Sequence, residues 1–294
     1  MKVFFRILSL FIISQIFGYL FVVSSMGLSF SEIKNIENFT PMEIVDKIGL
    51  YYYILMSQLT GVLIPAILYI LVYRKKNVDL NTGFILPKRN SYFIYAIFLL
   101  FLSYPLIQFS ADLNSKMFFS NWLSDESEMI GRMTMDILKM NGIGELLRNI
   151  ILVGFLPAIG EELFFRAGIQ KELLAFFKRK DFAIILTAII FSAFHLEFDG
   201  FLPRFFLGLI LGYTYYWSSS LWVPVVIHFI NNSLLIITAY FTTDNLEELV
   251  SNQSVEPIPV YMLMMSAISV FVIRHQMYKM YIEDKFENKE SLND

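Results

Sequence analysis

The sequence predicts an all-α fold, a polytopic transmembrane helical bundle of about eight spans with both termini cytoplasmic. Three observations carry that expectation. The composition is 56% hydrophobic and 17% aromatic, and only 17% of the 294 residues are charged; soluble domains carry about one quarter charged residues. The apolar residues gather in runs of about 17–25, the length that crosses a bilayer as a helix. The segments between those runs alternate between basic and acidic, as cytoplasmic and outer loops do.

The first run, 3–25, has Lys2 and Arg6 at its start, ahead of an apolar stretch that ends in "VVSSMG". A cleaved signal peptide has that layout, but the run is long for one, and a retained span is expected. The 26–48 connection carries more acids than bases. The second run, 50–73, leads into a linker with Arg74, Lys75, Lys76, Lys88 and Arg89 against Asp79 alone. The third, 91–110, opens into 111–145, where apolar and acidic residues alternate at roughly helical spacing. Amphipathic helices at the outer surface are expected there. The fourth and fifth runs, 146–165 and 181–197, flank a segment with Arg166, Lys171, Lys178, Arg179 and Lys180 against Glu172. The sixth, 203–217, is short and meets the seventh, 221–241, at "SSS", residues 218–220. An acidic loop with Asp244, Glu247, Glu248 and Glu256 precedes the eighth, 258–274. Arg274, Lys279, Lys285 and Lys289 follow, and the final "EDKFENKESLND" is polar and expected to fray. An even number of spans puts both ends on the basic side. No internal repeat is evident.

Several functions are excluded by composition. There is no Cys, which removes disulfides, thiolate metal sites and a cysteine nucleophile. A net charge of −3 without any basic block gives nucleic acid no footprint.

Ionisable groups inside spans are costly and point to function. Three clusters qualify. "GEELFFR", 160–166, holds Glu161, Glu162 and Arg166. Glu162 and Arg166 lie four apart and can pair, while Glu161 points about 100° away. "FSAFH", 191–195, holds Phe191 and His195. "HFINN", 228–232, holds His228, Asn231 and Asn232, with His228 and Asn232 on one helix face. Each cluster alone has a plainer explanation: a span end, a packed histidine, interhelical hydrogen bonding. Together they can meet. With a turn at "KRKD", 178–181, Glu161 lies about 25 Å and His195 about 21 Å from it in an antiparallel hairpin. That requires the fourth helix to continue past Arg166.

The three motifs, E-E-x-x-x-R, F-x-x-x-H and H-x-x-x-N, each in its own apolar segment and in this order, resemble the CPBP family. Those are the intramembrane CAAX prenyl endopeptidases and the bacteriocin-processing or self-immunity (Abi) proteins. The likeness covers about residues 145 to 241. Taken with the span map, the chain divides into three parts: N-terminal spans with an outer-surface segment (1–140), a core of that family's kind, catalytic if the likeness holds (141–245), and a last span with a cytoplasmic tail (246–294). The likeness also implies an intramembrane endopeptidase. Glu161 would activate water with help from His195. Glu162 and Arg166 would be a supporting pair, and His228 and Asn232 would donate to the oxyanion. Phe191 and Asn231 would be supporting residues.

Proteins of this type are often termed metalloproteases, and Glu161, His195 and His228 are the candidate ligands if Zn²⁺ is present. No H-E-x-x-H motif occurs, so the favoured mechanism needs no cofactor. The expected partners are a peptide or membrane-protein substrate and the lipid bilayer, in a bacterial plasma membrane. Two other readings stand: a non-catalytic membrane scaffold or regulator of the same fold, and a small transporter. The paired broken helices and repeats of transporters are not evident.

Overall fold

The computed structural model of the chain describes residues 5, 8, 12, 16, 18, 49–74, 83–116, 124–195, 197–242 and 258–290. Most of the first predicted span lies outside them. The described chain is helical throughout, without a strand. It is a multi-pass membrane protein: five helices, Leu50–Leu71, Ser91–Ser115, Ile143–Phe177, Trp222–Phe241 and Val260–Glu287, are long and apolar enough to cross a bilayer.

Helix α1 runs as Leu50–Gln58, a π-helical stretch Leu59–Leu63, and Ile64–Arg74. Helix α2 is Ser91–Ser115, and α3 is Ser124–Leu138. Helix α4 is one continuous rod, Ile143–Phe177, interrupted by π-helical stretches at Ile150–Phe155 and Leu163–Gln170. Helices α5, Lys180–Phe194, and α6, Phe201–Ser218, form a shorter hairpin joined by a 3₁₀ turn, Phe198–Gly200. Helix α7 is Trp222–Phe241 and α8 is Val260–Glu290.

The expected boundary of the fourth span at 165 is too early. Nothing in "RAGIQKELLAFF" breaks a helix, because Gly168 is tolerated when neighbours bury it, and 163–170 is buried throughout. The rod ends only at Lys178, whose left-handed φ of 55° closes the turn into α5. Ser219, with φ 53°, turns α6 into α7 in the same way. Helices α5 and α6, expected as ordinary spans at 181–197 and 203–217, are 15 and 18 residues long. Neither is among the helices apolar and long enough to cross. They pack against each other and against α2, α4 and α7 instead. Gly208 sets their spacing: a Cβ there would lie 3.1 Å from the Ala188 Cα, closer than ordinary packing allows.

The tail is a second correction. Instead of fraying at 283, α8 continues as helix to Glu290. Its acids have partners on the segment 83–90: Arg89 contacts Glu283 at 2.7 Å, Asp284 at 2.8 Å and Glu287 at 3.0 Å. Tyr92 donates to Asp284 at 2.9 Å. Segment 83–90 in turn crosses the α6–α7 turn, where Leu221 N–H donates to the Gly83 carbonyl and Ser220 to the Ile85 carbonyl, both at 2.6 Å. The polar composition that suggested fraying is what this network of opposite charges uses.

One buried core runs from α1 through α8, with Tyr92, Phe165, Phe191, Leu211, Ile227 and Met277 among its fully buried members. Leu138 and Met140 form a second cluster with Leu146, Ile236 and Ala239, which seats the end of α3 against α4 and α7.

Candidate active site

Glu161 and Glu162 sit mid-helix on α4, at the junction of its central α-helical turn, Leu156–Glu162, and the π-helical stretch that follows. π-Stretches are rare and recur at functional sites, because the wider turn re-aims side chains without ending the helix. Gly160, just before the pair, faces Leu63 and Val62 in the π-stretch of α1. Helix α1 therefore covers the back of the pair, and the acids point towards α5 and α7.

The two carboxylates have different surroundings. Glu162 is fully buried, with its Oε2 2.9 Å from Arg166 Nε one turn on. Its Oε1 accepts a hydrogen bond from His228 Nδ1 at 2.9 Å. Glu162 thus ties α4 to α7, a link the motif spacing did not disclose. Glu161 is 8% exposed. Its Oε2 lies 3.9 Å from His195 Nε2 and 3.8 Å from His228 Nε2, and among the described residues no direct hydrogen bond reaches that oxygen. One carboxylate is locked in an ionic network; the other faces two imidazole edges at separations too long for a direct hydrogen bond.

The hydrogen bonds decide which ring nitrogen does what. His195 Nδ1 donates to the Phe191 carbonyl at 2.9 Å, which leaves Nε2 facing Glu161. His228 Nδ1 donates to Glu162, which likewise turns its Nε2 to Glu161. Both imidazoles present the same nitrogen to one oxygen.

His195 was expected inside the fifth span. It is the residue that caps α5, after its last helical residue Phe194. The following "LEFDG" carries two acids and a glycine and turns into the 3₁₀ segment, so the helix cannot continue through it. The side chain is 31% exposed, the most accessible of the ionisable group. The loop behind it is held by Asn114 of α2, which donates to the Phe198 carbonyl at 2.8 Å and accepts from Leu202 N–H at 2.9 Å.

Phe191 explains the first letter of its motif. Its ring meets Phe165 at 5.1 Å, His195 at 5.1 Å and His228 at 5.9 Å, all edge to face. The Arg166 guanidinium lies 4.9 Å from the same ring centroid. One aromatic side chain therefore contacts the guanidinium and both imidazoles, while the backbone carbonyl of the same residue fixes His195.

Asn232 lies one turn beyond His228 on α7 and is half-buried. Its Oδ1 accepts from Asn231 Nδ2 at 3.3 Å, and Asn231 Oδ1 accepts from the Tyr104 hydroxyl at 3.2 Å. The relay occupies the acceptor of Asn232 and leaves its NH₂ to donate. Tyr104 and Asn114 belong to α2, where no spacing in the sequence marks them out among many aromatic and polar residues.

Among the described residues, no group of three or more His, Asp or Glu side chains is arranged to hold a metal ion. Glu162 is already engaged by Arg166 and His228, and a buried guanidinium one turn away is a poor neighbour for a dication.

Residues 143–234 match the family model for type II CAAX prenyl endopeptidase Rce1-like proteins. The match contains all three motifs and agrees with the resemblance they carry. No curated protein and no solved structure matches the chain.

Proposed function

We propose, from the premise that residues 143–234 are a core of the CAAX prenyl endopeptidase kind, that this protein is an intramembrane endopeptidase that uses a glutamate-activated water. The observation that carries the proposal is the buried Glu161 Oε2, without a hydrogen-bond partner among the described residues, with Nε2 of His195 and Nε2 of His228 at 3.9 and 3.8 Å.

The roles follow from donor and acceptor capacity. A water about 2.8 Å from both Glu161 Oε2 and His195 Nε2 can donate one hydrogen to each. Glu161 takes the proton as the oxygen attacks the peptide carbonyl carbon. The carbonyl becomes a tetrahedral oxyanion, and positioned donors stabilise it. His228 can donate from Nε2 only when it carries both protons, and Glu162 beside its Nδ1 is the counter-ion for that form. Asn232 NH₂ is the second donor. Collapse of the intermediate returns the proton from Glu161 to the leaving amine, so the residue acts as base and then as acid.

The substrate is an extended peptide or a membrane-protein segment that reaches the pocket through the exposed edge of His195. A prenylated C-terminal peptide is one class of that kind; processing of a bacteriocin-like peptide or self-immunity is another. The basic loops orient both termini towards the cytoplasm of a bacterial plasma membrane.

Cleavage of a fluorogenic peptide library by the protein in lipid nanodiscs tests this proposal. His195→Ala is expected to abolish most turnover while the thermal unfolding temperature stays near wild type, which a scaffold or a transporter would not require. Activity is expected to survive exhaustive chelation. Loss of activity on chelation with recovery on stoichiometric Zn²⁺ would overturn the metal-free mechanism.

The relay from α2 gives a separate test. Tyr104→Phe removes one neutral hydrogen bond and is expected to lower kcat about fivefold, equivalent to about 1 kcal/mol, with KM nearly unchanged. An unchanged kcat would show that Asn232 needs no orientation from α2.

A further inference from the structure

Glu162, Arg166 and Gln170 recur every four residues along α4, so they share one face of the rod. All three are buried, two of them completely and Gln170 at 2% exposure. At the end where α4 turns into α5, this ladder meets a cavity of about 270 Å³. Gln170, Lys171, Tyr215, Tyr216, Ser219 and Tyr281 line it, and the Tyr216 and Tyr281 hydroxyls lie 3.3 Å apart across it.

The polar atoms along the ladder are not all paired. Gln170 Nε2 donates to the Gly212 carbonyl at 2.9 Å, but its Oε1 has no hydrogen-bond partner among the described residues. Nη1 and Nη2 of Arg166 also lack one. Gly212 leaves Oε1 its room, since a Cβ at 212 would lie 2.9 Å from it. A buried amide oxygen without a partner is costly, and a guanidinium more so. Such groups are satisfied by water wherever the site is polar and roomy enough.

We infer that this cavity and the Gln170–Arg166 step form a water path that supplies the hydrolytic water to Glu161 from the aqueous end of the bundle. The inference rests on the endopeptidase reading for its purpose. A substrate that enters past His195 fills the accessible side of the pocket, yet each peptide bond cleaved consumes one water. The path brings it from behind, over about 12 Å between residues 170 and 162. Gln170 Oε1 and the Arg166 Nη groups are closed to solvent in this conformation, so water passes when the Gln170 amide swings into the cavity it lines; it then bonds Oε1, next the Arg166 Nη groups, and so reaches Glu162 and its neighbour Glu161.

The chain contains no Cys, so single-cysteine variants label without background. Full-length Gln170→Cys and Ala167→Cys in nanodiscs would be treated with a small, positively charged methanethiosulfonate. Ala167 is equally buried but lies off the ladder. Gln170→Cys is expected to react at least about tenfold faster, because thiol reactivity requires water access. Gln170→Leu, which blocks the step with apolar volume, is expected to lower kcat about tenfold at unchanged KM, with Gln170→Asn restoring most of it. Equal labelling of the two cysteines, or full kcat in Gln170→Leu, overturns the path. Labelling needs no turnover: rapid labelling at 170 in a protein that cleaves nothing would leave the path standing and remove its purpose. Cleavage without labelling would do the reverse.

Discussion

Glu161→Gln is expected to lower kcat/KM for peptide cleavage by about 10²–10⁴-fold, the range that a positioned general base contributes. The substitution is nearly isosteric. It keeps an acceptor oxygen but replaces the proton-accepting one by an amide that cannot take the proton from water. Glu161 Oε2 has no hydrogen-bond partner among the described residues, so no structural bond is lost. Thermal unfolding of the variant in the same nanodiscs is therefore expected to match wild type, in contrast to variants of Glu162. Turnover at the wild-type rate in Glu161→Gln would sink the proposed mechanism outright. Loss of turnover together with a large drop in unfolding temperature would reassign Glu161 to the structural network.

Arg166→Ala is the second large effect, and it acts on stability. The guanidinium and Glu162 are both completely buried, with 2.9 Å between Nε and Oε2. Removing one member leaves the other charged and unpaired in low dielectric, which costs about 3–5 kcal/mol. His228 remains beside Glu162 and softens that cost, and the ring of Phe191 loses the cation it packs against. Replacing both members by neutral groups of similar volume, as in Glu162→Gln with Arg166→Met, is expected to recover much of the stability, since a buried pair contributes little net. Chemical unfolding of the two variants separates these outcomes. A change within about 0.5 kcal/mol for Arg166→Ala would make the pair dispensable.

Much of the site was legible because helical spacing is short-range. The four-residue interval between Glu162 and Arg166 follows from the helix repeat alone, and so does the shared face of His228 and Asn232. The hairpin distances either side of the 178–181 turn put Glu161 and His195 at one level, and the structure has them 3.9 Å apart. The match to the CAAX prenyl endopeptidase family model over 143–234 spans the same three motifs. What escaped the sequence depends on chain reversals and long-range packing. His195 was assigned to a span because it follows fifteen residues of apolar helix, but the loop after it ends the helix one residue earlier. The polar tail was expected to fray because its partners, Lys88 and Arg89, are about two hundred residues away.

The sequence by itself determined the helical class, the order of the apolar segments and the identity of the polar groups that must be hidden together. Those properties are local: composition, the 3.6-residue repeat, and the cost of an ionised group in a nonpolar surround. The different surroundings of the two adjacent glutamates come from tertiary packing. Which of them meets Arg166 is a matter of spacing. That Glu162 also binds His228 while Glu161 faces both imidazole Nε2 atoms depends on how α4, α5 and α7 cross. The contribution of α2, through Tyr104 and Asn114, depends on the same thing. Crossing geometry is set by interlocking side chains across helices far apart in the chain, and no local pattern encodes it.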